Sequence, residues 1–393
     1  MGLFLLILGI VLFVGLVIVH EYGHFIMARR NGVEVEEFGI FFPPRLWSRK
    51  TKGGWVFSIN ALPLGGFVKL KGEHDSDTAP GSFGAAGLWA KVKIMGAGVF
   101  MNLVTAYFLL MVLAWLGMPV LLQDQYTVKN DTNIVYDSRK VIAYEVEKGS
   151  PADKAGIKQG DTLLTLGVPG HSYQQMKEPQ SLTDFTHRNA GSPVLVRYTH
   201  DSQTVTKQVE LRTKAEIDAA KAAGQSMGYL GVVPATDGYA LQRSTWSAPI
   251  VAGGLTAQFT KLTFEGLGTA LKGLGSAIAG LVTGNTTARQ AGQTEASSQV
   301  SGPVGIFYVL RQSSDLGFRF MLFIIAIISL SLAIMNFLPI PALDGGKLWS
   351  IVISRAIRKP MTPRVEELIN ALGFVLLMGL IVLITVVDVR RFF

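Results

Sequence analysis

No cysteine occurs among the 393 residues. Disulfides and thiolate ligands are therefore excluded, and any metal must be held by histidine and carboxylate. Charge is also sparse: Asp, Glu, Lys and Arg make up 16% of the chain against 49% hydrophobic residues, and the mean hydropathy is +0.36. That balance is too apolar for a soluble protein and too polar for one built only of membrane helices, so it implies a membrane part joined to a water-exposed part. Histidine is scarcer still, at six. The net charge is +8, but the basic residues stand beside apolar runs and do not cluster with interleaved aromatics. This favours membrane orientation and argues against nucleic acid as a partner.

Long apolar runs are what the chain has in quantity. Gly2 to Ala28, Ile94 to Val120, Phe318 to Leu338 and Leu368 to Val387 are each long enough to cross a bilayer. They predict an α-helical polytopic membrane protein with four transmembrane helices. Arg29, Arg30, Arg45, Arg49, Lys50 and Lys52 follow the first run, and Lys347, Arg355, Arg358 and Arg364 lie between the last two. By the positive-inside rule both loops face the cytoplasm, which leaves the termini and Leu121 to Gly317 outside; Arg390 and Arg391 stand against that pattern. The first run has no basic residue before it and no small-residue cleavage site ahead of His20, so it reads as a retained helix and not as a signal peptide.

His20-Glu21-Tyr22-Gly23-His24 closes this first run. Two histidines four apart share one helix face, close enough for one metal ion, and the glutamate between them is placed to act as a base toward water there. Such groups are expensive in hydrocarbon and are kept there for function. Two other readings fit the motif: a structural or inactive metal site in a membrane-anchored adaptor, and a metal transporter, although four spans without a repeated polar pattern give a transporter little pathway. A catalytic site needs a third ligand. The signature that supplies it from the same helix needs Gly and His where Met27 and Arg30 stand, so that subclass is excluded. His74, His171, His187 and His200 lie in polar stretches remote from the motif and read as surface histidines. Asp344 lies in Asn336-Phe337-Leu338-Pro339-Ile340-Pro341-Ala342-Leu343-Asp344-Gly345-Gly346, where two prolines interrupt a helix and two glycines let the backbone bend. Its carboxylate is either a metal ligand or the N-cap of a following helix, and the residues alone favour neither.

Val33 to Ile40, Trp55 to Asn60 and Gly66 to Leu70 predict short strands of a small membrane-associated β-sheet. Its edge at Gly66, Phe67 and Val68 offers strand addition to an extended peptide; the alternative is a structural hairpin. In the outer segment, Val141 to Val146 reads as a strand, Ser150 to Gly156 as a capped helix, and Gly160 to Gly167, Pro193 to Tyr198 and Val205 to Leu211 as further turns and strands. The run S-P-A-x-x-A-G-I-x-x-G-D within it resembles a PDZ domain, an inserted α+β module that commonly takes peptide ends; exclusion of bulky substrates and a purely packing role are the alternatives. Thr256 to Val282 is amphipathic and lies on the membrane surface or forms a fifth span, and Asn285 to Gln299 reads as a linker. The division expected is 1–120 with the metal motif and the hairpin loop, 121–235 as the PDZ-like domain, 236–316 as amphipathic helix and linker, and 317–393 with the aspartate motif.

The paired motifs His20 to His24 and Asn336 to Gly346, with Gly65-Gly66-Phe67-Val68-Lys69-Leu70 and Ser301-Gly302-Pro303-Val304-Gly305-Ile306, resemble the site-2 protease family of intramembrane zinc metalloproteases along nearly the whole chain. The resemblance implies Zn2+ with His20, His24 and Asp344 as ligands, Glu21 as catalytic base, and Asn336 and Asn102 in contact with the substrate backbone. It further implies a bacterial inner-membrane location and single-span membrane proteins as substrates, such as anti-sigma factors or signal-peptide remnants. Two departures stand out. Gly98-Val99-Phe100-Met101-Asn102 lacks a proline expected after the glycine, and there is one PDZ-like module where the nearest bacterial type carries two in tandem.

Overall fold

A computed structural model describes residues 2–73, 77–122, 124–136, 140–201, 203–222, 227–237, 240–287, 291, 302–358 and 362–392. His74, Ser301 and most of the 285–299 segment lie outside the described residues. The chain divides into two units, Met1–Asn133 with Arg243–Phe393, and the inserted Ile134–Gln242.

The first unit opens with helix α1 (Gly2–Arg30), a long bent hairpin of β1 (Val35–Lys50) and β2 (Val56–Leu70), and helix α2 (Leu88–Leu116). The inserted unit is an antiparallel sheet in the order 232–237, 140–146, 162–167, 193–200, 203–210, with helices α3 (Pro151–Lys154), α4 (Pro179–Arg188) and α5 (Lys214–Ala222). Its core gathers Val141, Ile157, Leu163, Leu166, Val194 and Val196, the inward-facing apolar residues of these strands and of the turn after α3. Ser150 caps α3 by accepting from the Asp153 N–H at 3.2 Å, as its place before Pro151 predicts. The first unit resumes with α6 (Ala248–Thr283), α7 (Pro303–Leu316), α8 (Phe318–Phe337), α9 (Asp344–Ala356) and α10 (Pro363–Phe392).

Gly2–Arg30, Leu88–Leu116, Phe318–Phe337 and Arg364–Val382 are long and apolar enough to cross a membrane. Leu3, Phe4, Val11, Phe108, Val375 and Leu376 are each more than half exposed on them, a surface suited to lipid and not to water. Helix α2 is central. Leu110, Leu113 and Ala114 pack on Ala248, Val251, Ala252 and Leu255 of α6 and on Leu322, Phe323 and Ala326 of α8. Helix α6 thus begins well before the predicted amphipathic stretch. Gly254, which reads as a breaker, is there for close approach, since a Cβ would come 2.4 Å from the Tyr126 ring. Gly302-Pro303-Val304-Gly305-Ile306 opens α7: the Gly302 and Gly305 N–H groups both donate to Asp388 Oδ2 at 2.9 Å, a carboxylate from α10 at the positive end of the helix.

Where the chain leaves for the insertion and returns from it, buried Asp131 accepts from the backbone N–H and the hydroxyl of both Thr245 and Ser247, the residues that lead into α6. The Ser247 and Thr245 hydroxyls, with these two backbone donors, hold the Asp131 carboxyl down at about 2. A depressed carboxylate adds stability above its ordinary pKa and loses it as pH falls toward the folded value. Asp131→Asn should therefore melt below wild type at pH 7, and the gap in melting temperature should close between about pH 4 and pH 2; a gap independent of pH would refute the assignment.

Candidate metal centre

The histidines of α1 reach across to α9. His20 Nε2 lies 2.8 Å from Asp344 Oδ2, His24 Nε2 lies 3.1 Å from the same oxygen, and the two Nε2 atoms are 3.2 Å apart. Among the described residues this is the group of His, Asp and Glu side chains that could hold a metal ion. Tetrahedral zinc, with bonds of ~2.0–2.1 Å, separates its ligand atoms by about 3.3 Å, so the three atoms fit three corners and leave a fourth free. The N-cap alternative for Asp344 does not hold: the N-cap of α9 is Leu343, and Asp344 is the first helical residue.

Local sequence explains how the carboxylate gets there. After α8 ends, Pro339 and Pro341 prevent a continuous helix, Ala342 takes a left-handed φ of 71°, and α9 restarts directly. Gly345 and Gly346 are required by crowding: a Cβ would sit 2.2 Å from the Leu338 carbonyl oxygen or 2.3 Å from that of Ile340.

Helix α2 forms the back wall. The His24 Nδ1–H donates to the Ile94 carbonyl at 2.8 Å, and Gly98 has no room for a side chain, since a Cβ would lie 2.3 Å from His24 Nε2 and 2.6 Å from His20 Nε2. Gly23 provides the matching approach from α1, where a Cβ would meet the Ala97 carbonyl oxygen at 2.7 Å. The sequence signal for Gly98 is the small-residue run Gly96-Ala97-Gly98 ahead of Asn102, which does not single out Gly98; the Ile94 carbonyl is main chain and leaves no signal. Asn102 is 1% exposed and faces His20 Nδ1 at 3.3 Å.

On the other side, Glu21 lines an apolar cavity of about 340 Å³ between α1, the hairpin and α7, with Val14, Val17, Ile18, Gly66 and Phe307 among its walls. A Cβ on Gly66 would come 3.1 Å from Glu21 Cγ, so strand residues 66–70 pass directly beside the glutamate. Segment 35–40 of β1 pairs with both 56–59 and 66–70, and segment 45–50 pairs with 56–60. The hairpin is thus four segments wide, and 66–70 has a strand partner on one side only among the described residues. Phe67 covers Gly39 and stacks on Phe42, while Val68 packs toward the buried cluster of Leu70, Phe83 and Ile94. Asn336, in the last turn of α8, is half-buried and its amide makes no hydrogen bond among the described residues. The remaining histidines are elsewhere: His171 and His187 are exposed in the inserted unit, and His200 Nδ1 lies 2.7 Å from Asp161 Oδ1.

Two imidazoles and a carboxylate thus converge where they could hold one metal ion, with a glutamate beside them and apolar helices around them. The sequence matches the model of peptidase family M50 over residues 8–380. It is 30% identical over 387 residues to a Clostridium perfringens protein named "Putative zinc metalloprotease", covering 98% of both chains, and 30% identical over 373 residues to one of the same description from Nostoc, covering 93% of this chain and 90% of the relative. It is also 26% identical over 467 aligned positions to "Regulator of sigma-E protease RseP" of Salmonella typhimurium, covering 96% of each. The chain belongs to peptidase family M50, a family of zinc metalloproteases.

Proposed function

We propose that the protein is an intramembrane zinc endopeptidase of the site-2 type, hydrolysing peptide bonds in or near the transmembrane segments of single-span proteins in the bacterial inner membrane. His20, His24 and Asp344 hold the zinc, and Glu21 is the base. The observation that carries the reading is the convergence of the His20, His24 and Asp344 ligand atoms beside Glu21, which itself lines an apolar cavity next to strand residues 66–70, a segment with a strand partner on one side only among the described residues.

Zinc supplies Lewis acidity toward a peptide carbonyl and toward water. Glu21 takes the proton of the attacking water on its carboxylate and passes it to the leaving amine, so the proton is conserved through the cycle. A helical substrate hides its peptide bonds in its own hydrogen bonds and must be extended first. The edge of Gly66, Phe67 and Val68 pairs with that extended segment by strand addition, apolar side chains fill the cavity, and the amide of Asn336 binds substrate backbone. The inserted unit is read as the PDZ-like domain, placed outside the membrane and able to take peptide ends. Anti-sigma factors and signal-peptide remnants are the substrate classes that fit regulated intramembrane proteolysis.

The test is zinc content and cleavage of a single-span membrane substrate by the purified protein. About one zinc per chain and a product cut within the span are expected; a cleaving protein free of zinc would sink the reading. Strand addition has its own check. Residues on an edge strand alternately point their N–H groups inward and outward, so of single prolines at Phe67 and Val68, one removes a donor available to substrate. That variant should lose about tenfold in kcat/KM, the worth of a hydrogen bond of about 1.4 kcal/mol, with zinc content unchanged. Unchanged cleavage by both variants would exclude edge pairing.

A further inference from the structure

The tautomer of each histidine is set by what faces its second ring nitrogen, and the two sites differ in an informative way. His24 Nδ1 meets the Ile94 carbonyl at 2.8 Å; a carbonyl only accepts, so Nδ1 carries the proton and Nε2 keeps its lone pair for a metal. His20 has the same requirement, because its Nε2 is the atom that faces Asp344 and His24. Its Nδ1 must then donate. The group in front of it is the Asn102 side chain, whose Nδ2 lies 3.3 Å away, a donor against a donor, while the Asn102 Oδ1 is buried without a hydrogen-bond partner. Turning the amide by 180° about Cβ–Cγ presents Oδ1 to that nitrogen.

We infer that Asn102 is a positioning residue for the metal centre: its amide oxygen accepts the His20 Nδ1 proton, and so fixes the tautomer and ring orientation that leave His20 Nε2 free to ligate. This rests on the ligand set proposed above. It differs from the substrate contact expected of Asn102 from sequence, and burial favours the positioning role, since the side chain is 1% exposed. The Asn102 backbone is itself fixed, its carbonyl accepting from the Ser329 hydroxyl of α8 at 2.8 Å. Helix α2 thereby holds both histidines, with the Ile94 carbonyl on one and Asn102 on the other, and Gly98 between them leaves the space in front of the two Nε2 atoms open.

The experiment is zinc affinity by chelator competition, with the cobalt(II) ligand-field spectrum as a geometric readout, on full-length wild type, Asn102→Ala, Asn102→Asp and His20→Ala. The melting temperature of each metal-free protein controls for folding. Asn102→Ala should bind zinc about 10–100-fold more weakly and shift the cobalt spectrum, while Asn102→Asp, an acceptor toward the same proton, should return to within a few-fold of wild type. Wild-type zinc affinity in Asn102→Ala with a raised KM would overturn the inference and assign Asn102 to substrate. An Asn102→Asp protein as weak as Asn102→Ala would overturn it in favour of packing. Unchanged affinity in His20→Ala would mean that the ligand set itself is wrong.

Discussion

Glu21→Gln should abolish cleavage while leaving the metal in place. The substitution keeps the shape of the side chain and removes the proton-accepting charge, so a general base at this position predicts a fall in kcat of about 10²–10⁴-fold. Glu21 is outside the group of atoms that converge on the ion position, which contains His20, His24 and Asp344. Zinc content should therefore stay at the wild-type level. Purified wild type and variant would be compared for bound zinc and for initial rates on one membrane substrate in one detergent. Zinc retained with cleavage lost is the expected pair of results. Cleavage at the wild-type rate would remove Glu21 from the mechanism, and loss of zinc would make it a structural partner of the ligands. The same variant divides the protease from the adaptor and transporter readings, because neither of those depends on a base.

What the sequence made legible was the part governed by period and by side-chain chemistry. The first three apolar runs became α1, α2 and α8; α2 starts earlier than its run, at Leu88, with Lys91 over the Phe83 ring 5.7 Å from its centroid, and ends earlier, at Leu116. Asp344 was legible as a candidate and ambiguous as to role; the structure removes the cap reading, since Leu343 takes that place, and brings Asp344 to His20. Strand limits were less legible. Pro43, Pro44 and Pro63 read as breaks, whereas β1 and β2 continue through them by bending, with register shifts that let one segment pair on both sides. The early turns of α6 were hidden because Gly253 and Gly254 punctuate the run, and nothing in the local sequence announces that Tyr126 will need the space.

The site was legible to the same degree and for the same reason. His20, Glu21 and His24 are fixed by spacing on one helix. The groups that orient the histidines come from α2 through a main-chain carbonyl and a buried amide, and the pairing of these with α1 is a fact of tertiary packing. Strand 66–70 was expected at an edge, but its place beside Glu21 follows from Gly66 giving way to the glutamate side chain, a contact made across distant segments of the chain.

Gly98→Ala should cost the protein its metal. The added Cβ would lie 2.3 Å from His24 Nε2 and 2.6 Å from His20 Nε2, inside the space that the ion and its ligand atoms must share. Such a contact is relieved only if the helix backs away or the imidazoles turn. Helix α2 is pinned against retreat by the His24 Nδ1 bond to the Ile94 carbonyl, by the Ser329 bond to the Asn102 carbonyl and by the tight crossing at Gly23. Turning either imidazole breaks the hydrogen bond that orients it, an effect that alone weakens metal sites about 10–100-fold. With both histidines displaced together, zinc affinity should fall by more than about 100-fold, and cleavage at fixed zinc should fall with it. Gly96→Ala on the same helix is the control, because a Cβ there meets no atom within 4 Å, and alanine is favoured over glycine in a helix by about 1 kcal/mol. That variant should keep wild-type zinc affinity and melt no lower than wild type. A Gly98→Ala protein that holds zinc as tightly as the Gly96→Ala control would show that the two histidines do not meet the ion on the α2 face of α1.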